Sequence, residues 1–389
     1  MRATDAKAGA RERFDEARDE LIALSHRIHA HPEIGFEEER AASWLCDTLD
    51  GAGFRVRRGV AQLPTAFVAE AGSGPLHVAL CAEYDCLPGI GHACGHNLIA
   101  AMTVGAALAA ARVANDVGLT VRVVGTPAEE GGGGKVLLLE RGVFDGVHAA
   151  LMVHPAPVDA VEAPMLALNQ FQVTYTGKAA HASAFPERGI NAADAVTVAQ
   201  TAIGLLRQHL RQTDRVHGIV TCGGDAPNVV PARASATYIV RAQTLADLGE
   251  VRDKVMRCFE AGALATGATL QVDDDHPPYA EVVHDSAIAA VYRRNAESLG
   301  RVFPDVGPAL ERSAGSTDMG NVSLVVPSIH PYIGIDSLPA VNHQPEFAAH
   351  CATPAADKAL LEGGLALGWT AIDLASDDGI RARLLSRRR

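Results

Sequence analysis

Two side chains near the middle of the first third of the chain could bind a metal ion. Cys94 and His96, in "HACGH", are two residues apart, and a loop or extended segment would place both on the same side. Thiolate and imidazole are strong ligands for zinc-like ions. The alternative is a packed thiol beside an incidental imidazole, so further ligands must come from elsewhere. Asn97 is expected to cap a helix that begins at Leu98.

A pair of carboxylates offers a second candidate. Glu129 and Glu130 precede four glycines in "GTPAEEGGGGK", residues 125–135. One carboxylate could bind a cation while its neighbour acts as a base, and the glycines would let backbone and substrate approach closely. A phosphate loop is excluded, because Glu129 stands where that motif needs glycine. The alternative is a solvated acidic pair before a flexible turn.

Two single histidines complete the set. His154 lies in "MVHPAP" and His343 in "VNHQPEF". A lone histidine after an apolar strand is more often structural than a ligand. Four segments that each offer a metal-binding group at one sheet edge nevertheless form a stronger signal than any one of them.

The elements that must position these groups are those of an α/β domain. Short β-rich runs alternate with an alanine-rich helix near 97–116, which indicates a largely parallel sheet with helices on both faces. Active groups of such sheets lie on loops at the carboxyl ends of the strands. The runs are "TAFVAEA", "LHVALCA", "TVRVVGT" and "AALMV".

The pattern changes after Pro164. Residues 166–284 follow the order β-α-β-β-α-β, the split unit of ferredoxin-like folds. Residues 285–389 return to helices and to loops rich in Gly, Ser and Pro, and are interpreted as the second half of the first domain. The expected organisation is therefore a catalytic domain in two parts, 1–165 and 285–389, with an inserted domain between them.

The motifs together resemble a known family. "CAEYDCLPGIGHACGHNLIAA", "PAEEGGGGK", "HPAP", "GKAAHASAFPERGINAADA" and "NHQPEF", in this order, are similar to the metallopeptidases that include aminoacylases and carboxypeptidase G. They are most similar to the branch of auxin-conjugate amidohydrolases and aminobenzoyl-glutamate hydrolases. The resemblance implies a zinc-peptidase α/β domain interrupted by a ferredoxin-like lid that forms a homodimer.

The resemblance also implies roles for individual residues. It implies two divalent ions, zinc first, with manganese or cobalt as alternatives, and Glu129 as general base. Asp85 matches an acid that orients a ligand, and His181 matches a residue that reaches a neighbouring subunit's active site and binds the oxyanion. Asn228 and Arg241 match positions that bind the substrate's amide and carboxylate. The implied metal ligands are Cys94, His96, Glu130, His154 and His343.

Three departures from the commoner form of the branch concern the substrate. Asn97 replaces an aspartate, Glu83 precedes Tyr84-Asp85, and "GSTDMGN" from Gly315 replaces a Glu-Asp-Phe sequence. These changes resemble a subgroup with aminobenzoyl-glutamate hydrolase subunits and dipeptidases acting on β-alanyl dipeptides. The implied activity is hydrolysis of N-acyl or aroyl amino acids, or of dipeptide-like conjugates, by a metal-activated water.

Two other functions stay open at this stage. One is a non-catalytic homologue that binds metal and ligand; the presence of Glu129 with a full ligand set argues against it. The other is an amidase with Cys94 as nucleophile, which is weaker because an adjacent i, i+2 histidine rarely activates the cysteine.

Composition limits the partners. A net charge of −12 and a pI near 5.7 disfavour nucleic acid and anionic membranes. The N-terminus lacks the apolar core of a signal peptide, and no apolar stretch approaches eighteen residues. Seven cysteines spread along 389 residues do not resemble a disulfide framework. We therefore expect a cytoplasmic enzyme of small molecules.

Overall fold

The computed structural model describes residues 2–274, 276–304 and 314–387. The chain divides into two units, one comprising Met1–Pro164 with Val282–Arg389 and the other Met165–Glu281. The sequence predicted domain boundaries after residues 165 and 284. No helix in the described ranges is long and apolar enough to cross a membrane.

The first unit contains helices and short strands from both parts of the chain. Its helices are α1 (Ala3–Glu16), α2 (Arg18–Ala30), α3 (Glu39–Gly51), α4 (His96–Ala111), α5 (Ala114–Val117), α6 (Gly134–Glu140), α9 (Ser286–Ser298), α10 (Met319–Val325), α11 (Pro345–His350), α12 (Pro354–Ser376) and α13 (Asp378–Ser386). Its strands are β1 (Arg55–Arg58), β2 (Phe67–Gly72), β3 (Leu76–Ala82), β4 (Leu119–Gly125), β5 (Ala149–Leu151), β6 (His154–Ala156), β11 (Ser328–Ile329) and β12 (Tyr332–Gly334).

Six of these strands form a mixed sheet in the order β1-β2-β4-β3-β5-β11. The pairs β3/β4, β3/β5 and β5/β11 are parallel, and β1/β2 and β2/β4 are antiparallel. The prediction of a largely parallel sheet is confirmed. Because Ala82 pairs with Gly125 at the ends of β3 and β4, the residues that follow these two strands emerge at the same sheet edge.

Helix α4 runs through the core of this unit. Every residue from His96 to Ala110 is buried, and the helix packs closely against α12. Small residues permit this approach: a Cβ added to Gly368 of α12 would lie 2.9 Å from the carbonyl oxygen of Ala106. The tight packing fixes the N-terminal end of α4, which carries His96, relative to the sheet.

The second unit has the ferredoxin-like order expected from the sequence. Its elements are β7 (Ala167–Thr176), α7 (Ala192–Leu206), β8 (Arg215–Cys222), β9 (Arg233–Ala242), α8 (Leu245–Thr266) and β10 (Thr269–Asp273). The strands form one antiparallel sheet in the order β10-β7-β9-β8. Alternating residues of β7, among them Phe171, Val173 and Tyr175, pack into the apolar core under α7 and α8.

Candidate metal centre

The candidate site residues of the first unit lie at the carboxyl ends of its strands and on nearby loops. Glu83 and Asp85 directly follow β3, Glu129 and Glu130 follow β4, and His154 follows β5. Cys94 and His96 lie at the start of α4, and His343 lies two residues before α11. The parallel arrangement of the central strands therefore accounts for most of the convergence.

Three buried candidate ligands form the first group. The ligand atoms of Cys94, His96 and His154 all lie within 4.8 Å of one another. His154 Nδ1 lies 2.7 Å from the carbonyl oxygen of Pro155, which can only accept, so this nitrogen carries the proton. His154 Nε2 is thereby left as an acceptor, 3.4 Å from Cys94 Sγ. Burial lowers the pKa of His154 to about 4, which keeps the imidazole neutral, as metal binding requires.

Cys94 belongs to a second group as well, with Glu130 and His343. His343 Nε2 lies 3.6 Å from Glu130 Oε2. The His343 backbone has φ 69°, a left-handed conformation that is uncommon outside glycine, and its N–H donates to the Ala93 carbonyl. This bond holds the strained loop against the Cys94 segment. Since Cys94 belongs to both groups, its sulfur is a candidate ligand in each of them.

Asp85 connects ligands from two loops. Its Oδ1 accepts a hydrogen bond from His96 Nδ1 at 2.8 Å, and its Oδ2 accepts one from the Glu130 backbone N–H at 3.0 Å. The carboxylate therefore fixes the His96 ring with Nε2 toward the centre. Carboxylates that orient a metal-binding histidine in this way also raise its basicity.

Replacing Asp85 by asparagine should lower the affinity of the metal-free protein for zinc by roughly 10- to 100-fold. Asparagine has one oxygen that accepts hydrogen bonds, where aspartate has two. Either the His96 ring or the Glu130 loop therefore loses its hydrogen bond to this side chain. Competition with a chromophoric chelator measures the affinity. Asp373→Asn, which removes the partner of Lys7 in α12, is the matched control. Wild-type affinity in Asp85→Asn would show that Asp85 has no orienting role.

Glu129 lies beside these ligands without belonging to the five predicted ones. Its Oε2 is 3.9 Å from His96 Nε2, and the side chain is buried. Burial, followed by the charges of Glu83 and Glu130, raises the pKa of Glu129 well above its ordinary value. A carboxylate with a raised pKa accepts a proton more readily near neutral pH, as a general base must.

A buried ion cluster, which the sequence did not predict, adjoins Glu129. Lys135 Nζ lies 2.6 Å from Glu83 Oε1 and 2.6 Å from Asp318 Oδ1, and all three side chains are excluded from solvent. Asp318 Oδ2 also accepts the Lys135 backbone N–H at 2.8 Å. The sequence marked Glu83 and the Asp318 segment only as departures from a branch pattern. Lys135 directly after four glycines was the signal that could have suggested a role.

A residue from the N-terminal part of the chain holds the loop that carries Glu129 through a hydrogen bond. The Ala128 backbone has φ 56°, and its N–H donates to Glu38 Oε1 at 2.8 Å. Burial, followed by the charge of Asp85, raises the pKa of Glu38 to about 7. The folded protein therefore holds a proton on Glu38 that the unfolded chain loses near pH 4.5.

This difference predicts a specific pH dependence of stability. Between about pH 4.5 and 7 the native state binds more protons than the unfolded state, so the Glu38 contribution falls as pH rises. Glu38→Gln keeps an acceptor for Ala128 but does not titrate. In metal-free protein, its free energy of unfolding relative to wild type should increase by about 2 to 3 kcal/mol from about pH 4.5 to about pH 8. Urea unfolding at both pH values measures it; a constant difference would contradict it.

The residues present suit divalent cations. The centre contains five acidic side chains and one ammonium group, that of Lys135, and divalent cations would offset this excess of acidic groups. Two atoms that face the centre, His96 Nε2 and Glu130 Oε1, are buried without a hydrogen-bond partner in the described part of the chain. Nitrogen, oxygen and sulfur donors together are the set that zinc accepts. The carboxylates are those of Glu83, Asp85, Glu129, Glu130 and Asp318.

Three predicted residues lie in the second unit. His181 and Asn228 are neighbours, because the Ala182 N–H donates to the Asn228 carbonyl at 3.0 Å and His181 forms a β-bridge with Val229. Arg241 lies in β9 opposite Arg215 of β8, and burial lowers its pKa. These three residues therefore belong to the second unit, whereas the five predicted ligands belong to the first.

Two other details differ from the sequence expectations or go beyond them. Helix α4 begins at His96 with Gly95 as N-cap, and the Asn97 side chain instead donates to Ser25 Oγ and the Cys351 carbonyl. The prediction that Asn97 caps a helix starting at Leu98 is wrong. His330, buried with its ring 5.3 Å from that of His154, was missed because nothing in its local sequence distinguishes it.

Comparisons with known proteins give a consistent result. A family model described as peptidase family M20/M25/M40 matches residues 79–359, a range that includes all five predicted ligands. The mouse Xaa-Arg dipeptidase is 41% identical over 385 residues, covering 95% of this chain and 88% of the relative. A p-aminobenzoyl-glutamate hydrolase component from Escherichia coli is 38% identical over 288 residues, covering 69% of this chain and 58% of the relative.

A solved structure agrees in fold. The crystal structure of a dinuclear metal-binding peptidase of the M20 family from Bacillus subtilis superposes with a TM-score of 0.69 at 22% identity. The match covers 92% of this chain and 99% of the other. At this level of identity the likeness establishes the shared fold.

Proposed function

Since the chain belongs to peptidase family M20/M25/M40 and is a metal-dependent hydrolase of amide bonds, we propose that it cleaves dipeptides and N-acyl amino acids at the metal centre described above. The family predicted from the sequence motifs is thereby confirmed. The observation that carries the proposal is the convergence of Cys94, His96 and His154 within 4.8 Å beside Glu129.

The proposed chemistry divides between the ions and the protein. Bound divalent ions supply Lewis acidity, which lowers the pKa of water and polarises the scissile carbonyl. Glu129 accepts the proton of the attacking water and then donates it to the leaving amine. Cys94, His96, Glu130, His154 and His343 hold the ions, and zinc suits this mixed donor set, with manganese or cobalt as alternatives.

His181 is proposed as the donor to the developing oxyanion. Its Nδ1 lies 3.3 Å from the Ser183 N–H and 3.2 Å from the Ala184 N–H and accepts from both. With Nδ1 acting as acceptor, the ring proton is on Nε2, which can donate to an oxygen of the substrate. One such donor typically contributes about 3 kcal/mol to the stabilisation of the transition state.

Arg241 and Asn228 are proposed to bind the substrate's free carboxylate and amide. A guanidinium can hold a carboxylate through two parallel hydrogen bonds, which favours substrates with a free C-terminus over internal peptide bonds. Among such substrates, dipeptides ending in arginine are the first to test, since a relative named for them aligns with 95% of this chain. The net charge of −12 is also compatible with a cationic substrate.

We also propose a homodimer in the cytoplasm. Strand β8 is at the edge of the antiparallel sheet, and its Ile219 and Val220 side chains are 67% and 45% exposed. An eight-residue edge strand with exposed apolar side chains is suited to pairing with a second copy. All seven cysteines are free thiols, as expected in a reducing compartment.

A substrate panel run with defined metals tests the function. Xaa-Arg and Xaa-Lys dipeptides, β-alanyl dipeptides, N-acetyl and aroyl amino acids and aminobenzoyl-glutamate are each compared with the same compound carrying a C-terminal amide. We expect turnover of at least one class and its loss when the carboxylate is amidated. Equal turnover of acids and amides would contradict carboxylate recognition. Metal binding without turnover of any compound would support a non-catalytic homologue.

A further inference from the structure

We propose that Glu83 is an additional ligand of the metal centre, on the His96 side, and that Lys135 is the positioning residue that directs its carboxylate there. The inference rests on the proposed metal centre. It extends the five ligands implied by the motifs with a residue for which the motifs gave no role.

The geometry around His96 carries the first step. His96 Nδ1 donates to Asp85, so Nε2 faces inward, where it has no hydrogen-bond partner in the part of the chain that is described. Glu83 Oε2 lies 3.4 Å from this nitrogen, closer than the oxygens of Glu129 and Glu130, which lie at 3.9 Å. A proton or a metal ion between this nitrogen and the carboxylate oxygen would satisfy both atoms, and in the proposed metal centre that cation is the metal ion.

The ligand atoms of Glu83, His96 and Glu129 also form a group within 4.8 Å, which lacks Cys94 and shares His96 with the first group. Glu129 is assigned to proton transfer, so Glu83 is the carboxylate of this group that remains for coordination. Its side chain is fully buried. The ammonium beside it, that of Lys135, is shared with Asp318, so one positive charge faces two buried carboxylates.

Lys135 determines which Glu83 oxygen faces the centre. Its ammonium lies 2.6 Å from Glu83 Oε1, which leaves Oε2 directed at His96. Asp318 in turn fixes Lys135, because its carboxylate accepts hydrogen bonds from both the Nζ and the backbone N–H of Lys135. The carboxylate is thus held by one oxygen and presents the other, an arrangement of the kind that outer-shell partners impose on metal ligands.

The competing interpretation is that Glu83 serves only as a counter-ion of Lys135. The two roles differ in what Glu83→Gln changes. A pure counter-ion would affect the stability of the metal-free fold, whereas a ligand would affect metal affinity. Glu83→Gln retains an acceptor for Lys135, and Lys135 keeps its ion pair with Asp318, so this variant is the mildest test of the two roles.

The experiment measures zinc and cobalt binding to metal-free full-length protein by titration calorimetry and by the visible absorption of bound cobalt. Wild type, Glu83→Gln, Lys135→Met and the double variant are compared, with thermal unfolding of each metal-free protein as a check on folding. Glu83→Gln should weaken one of two ions at least tenfold and change the cobalt spectrum. Lys135→Met should weaken the same ion, and the double variant should bind no worse than Glu83→Gln.

Two results would overturn the inference: Glu83→Gln with two ions bound at wild-type affinity and an unchanged cobalt spectrum, or additive losses in the double variant. If Lys135→Met does not fold, the Glu83→Gln titration and spectrum decide alone. Failure of the proposed function would look different, because wild type itself would then bind no divalent ions or hydrolyse none of the panel.

Discussion

Replacing Glu129 by glutamine should lower turnover by roughly 10²- to 10⁴-fold while leaving the metal content unchanged. The substitution keeps the size of the side chain and removes only its ability to take a proton. Burial, and then the charges of Glu83 and Glu130, raise the pKa of Glu129, which makes its carboxylate a stronger proton acceptor. Steady-state hydrolysis of the best substrate and elemental analysis of the same preparations measure the two quantities.

The adjacent residue is a matched control. Glu130→Gln makes the same chemical change one position away, in a side chain whose Oε2 faces His343 at 3.6 Å. It should lower metal content and activity together, and added metal should restore part of the activity. Added metal should restore nothing in Glu129→Gln. Wild-type-like hydrolysis by Glu129→Gln would refute its assignment as the base, and loss of metal from that variant would make it a ligand.

The sequence predicted the architecture because its signals are local. Apolar runs identified β3, the run "LHVALCA", at its observed bounds. Strands β11 and β12 were missed because a strand of two or three residues is too short to show an alternating apolar pattern. Their pairing with β5 and β6 also depends on contacts between residues more than 170 positions apart. Strand β1, "RVRR", is polar and exposed, so nothing apolar marked it.

The residues of the candidate site were predictable where they belong to short sequence motifs. The motifs named Cys94, His96, Glu130, His154 and His343, which the structure brings together; their role as ligands stays a prediction. The Lys135–Asp318 pair was not predictable, because it joins residues 183 positions apart. The position of Lys135 after four glycines could suggest a role for the lysine but could not identify its partner. A buried ion pair of this kind can be identified only from the three-dimensional structure, which brings the two charged side chains together.

Removing the metal should abolish hydrolysis, and this prediction separates the metal mechanism from a cysteine nucleophile. Dialysis against a chelator should eliminate essentially all turnover, and zinc, manganese or cobalt should restore it. A cysteine enzyme would keep its activity. The structure disfavours that mechanism because burial, followed by the charge of Glu130, raises the pKa of Cys94 well above its ordinary value. In the metal-free protein the sulfur is therefore a thiol and a poor nucleophile.

Two cysteine variants complete the test. Cys94→Ala removes the sulfur shared by both ligand groups and should lower metal affinity at least tenfold, with the loss of activity partly reversed at high metal concentration. Cys222→Ala, in β8 of the other unit, should leave affinity and turnover unchanged. Two results together would establish the thiol as nucleophile: activity that survives the chelator, and complete loss of activity in Cys94→Ala at every metal concentration. Excess metal can compensate for a lost ligand but cannot replace a lost nucleophile.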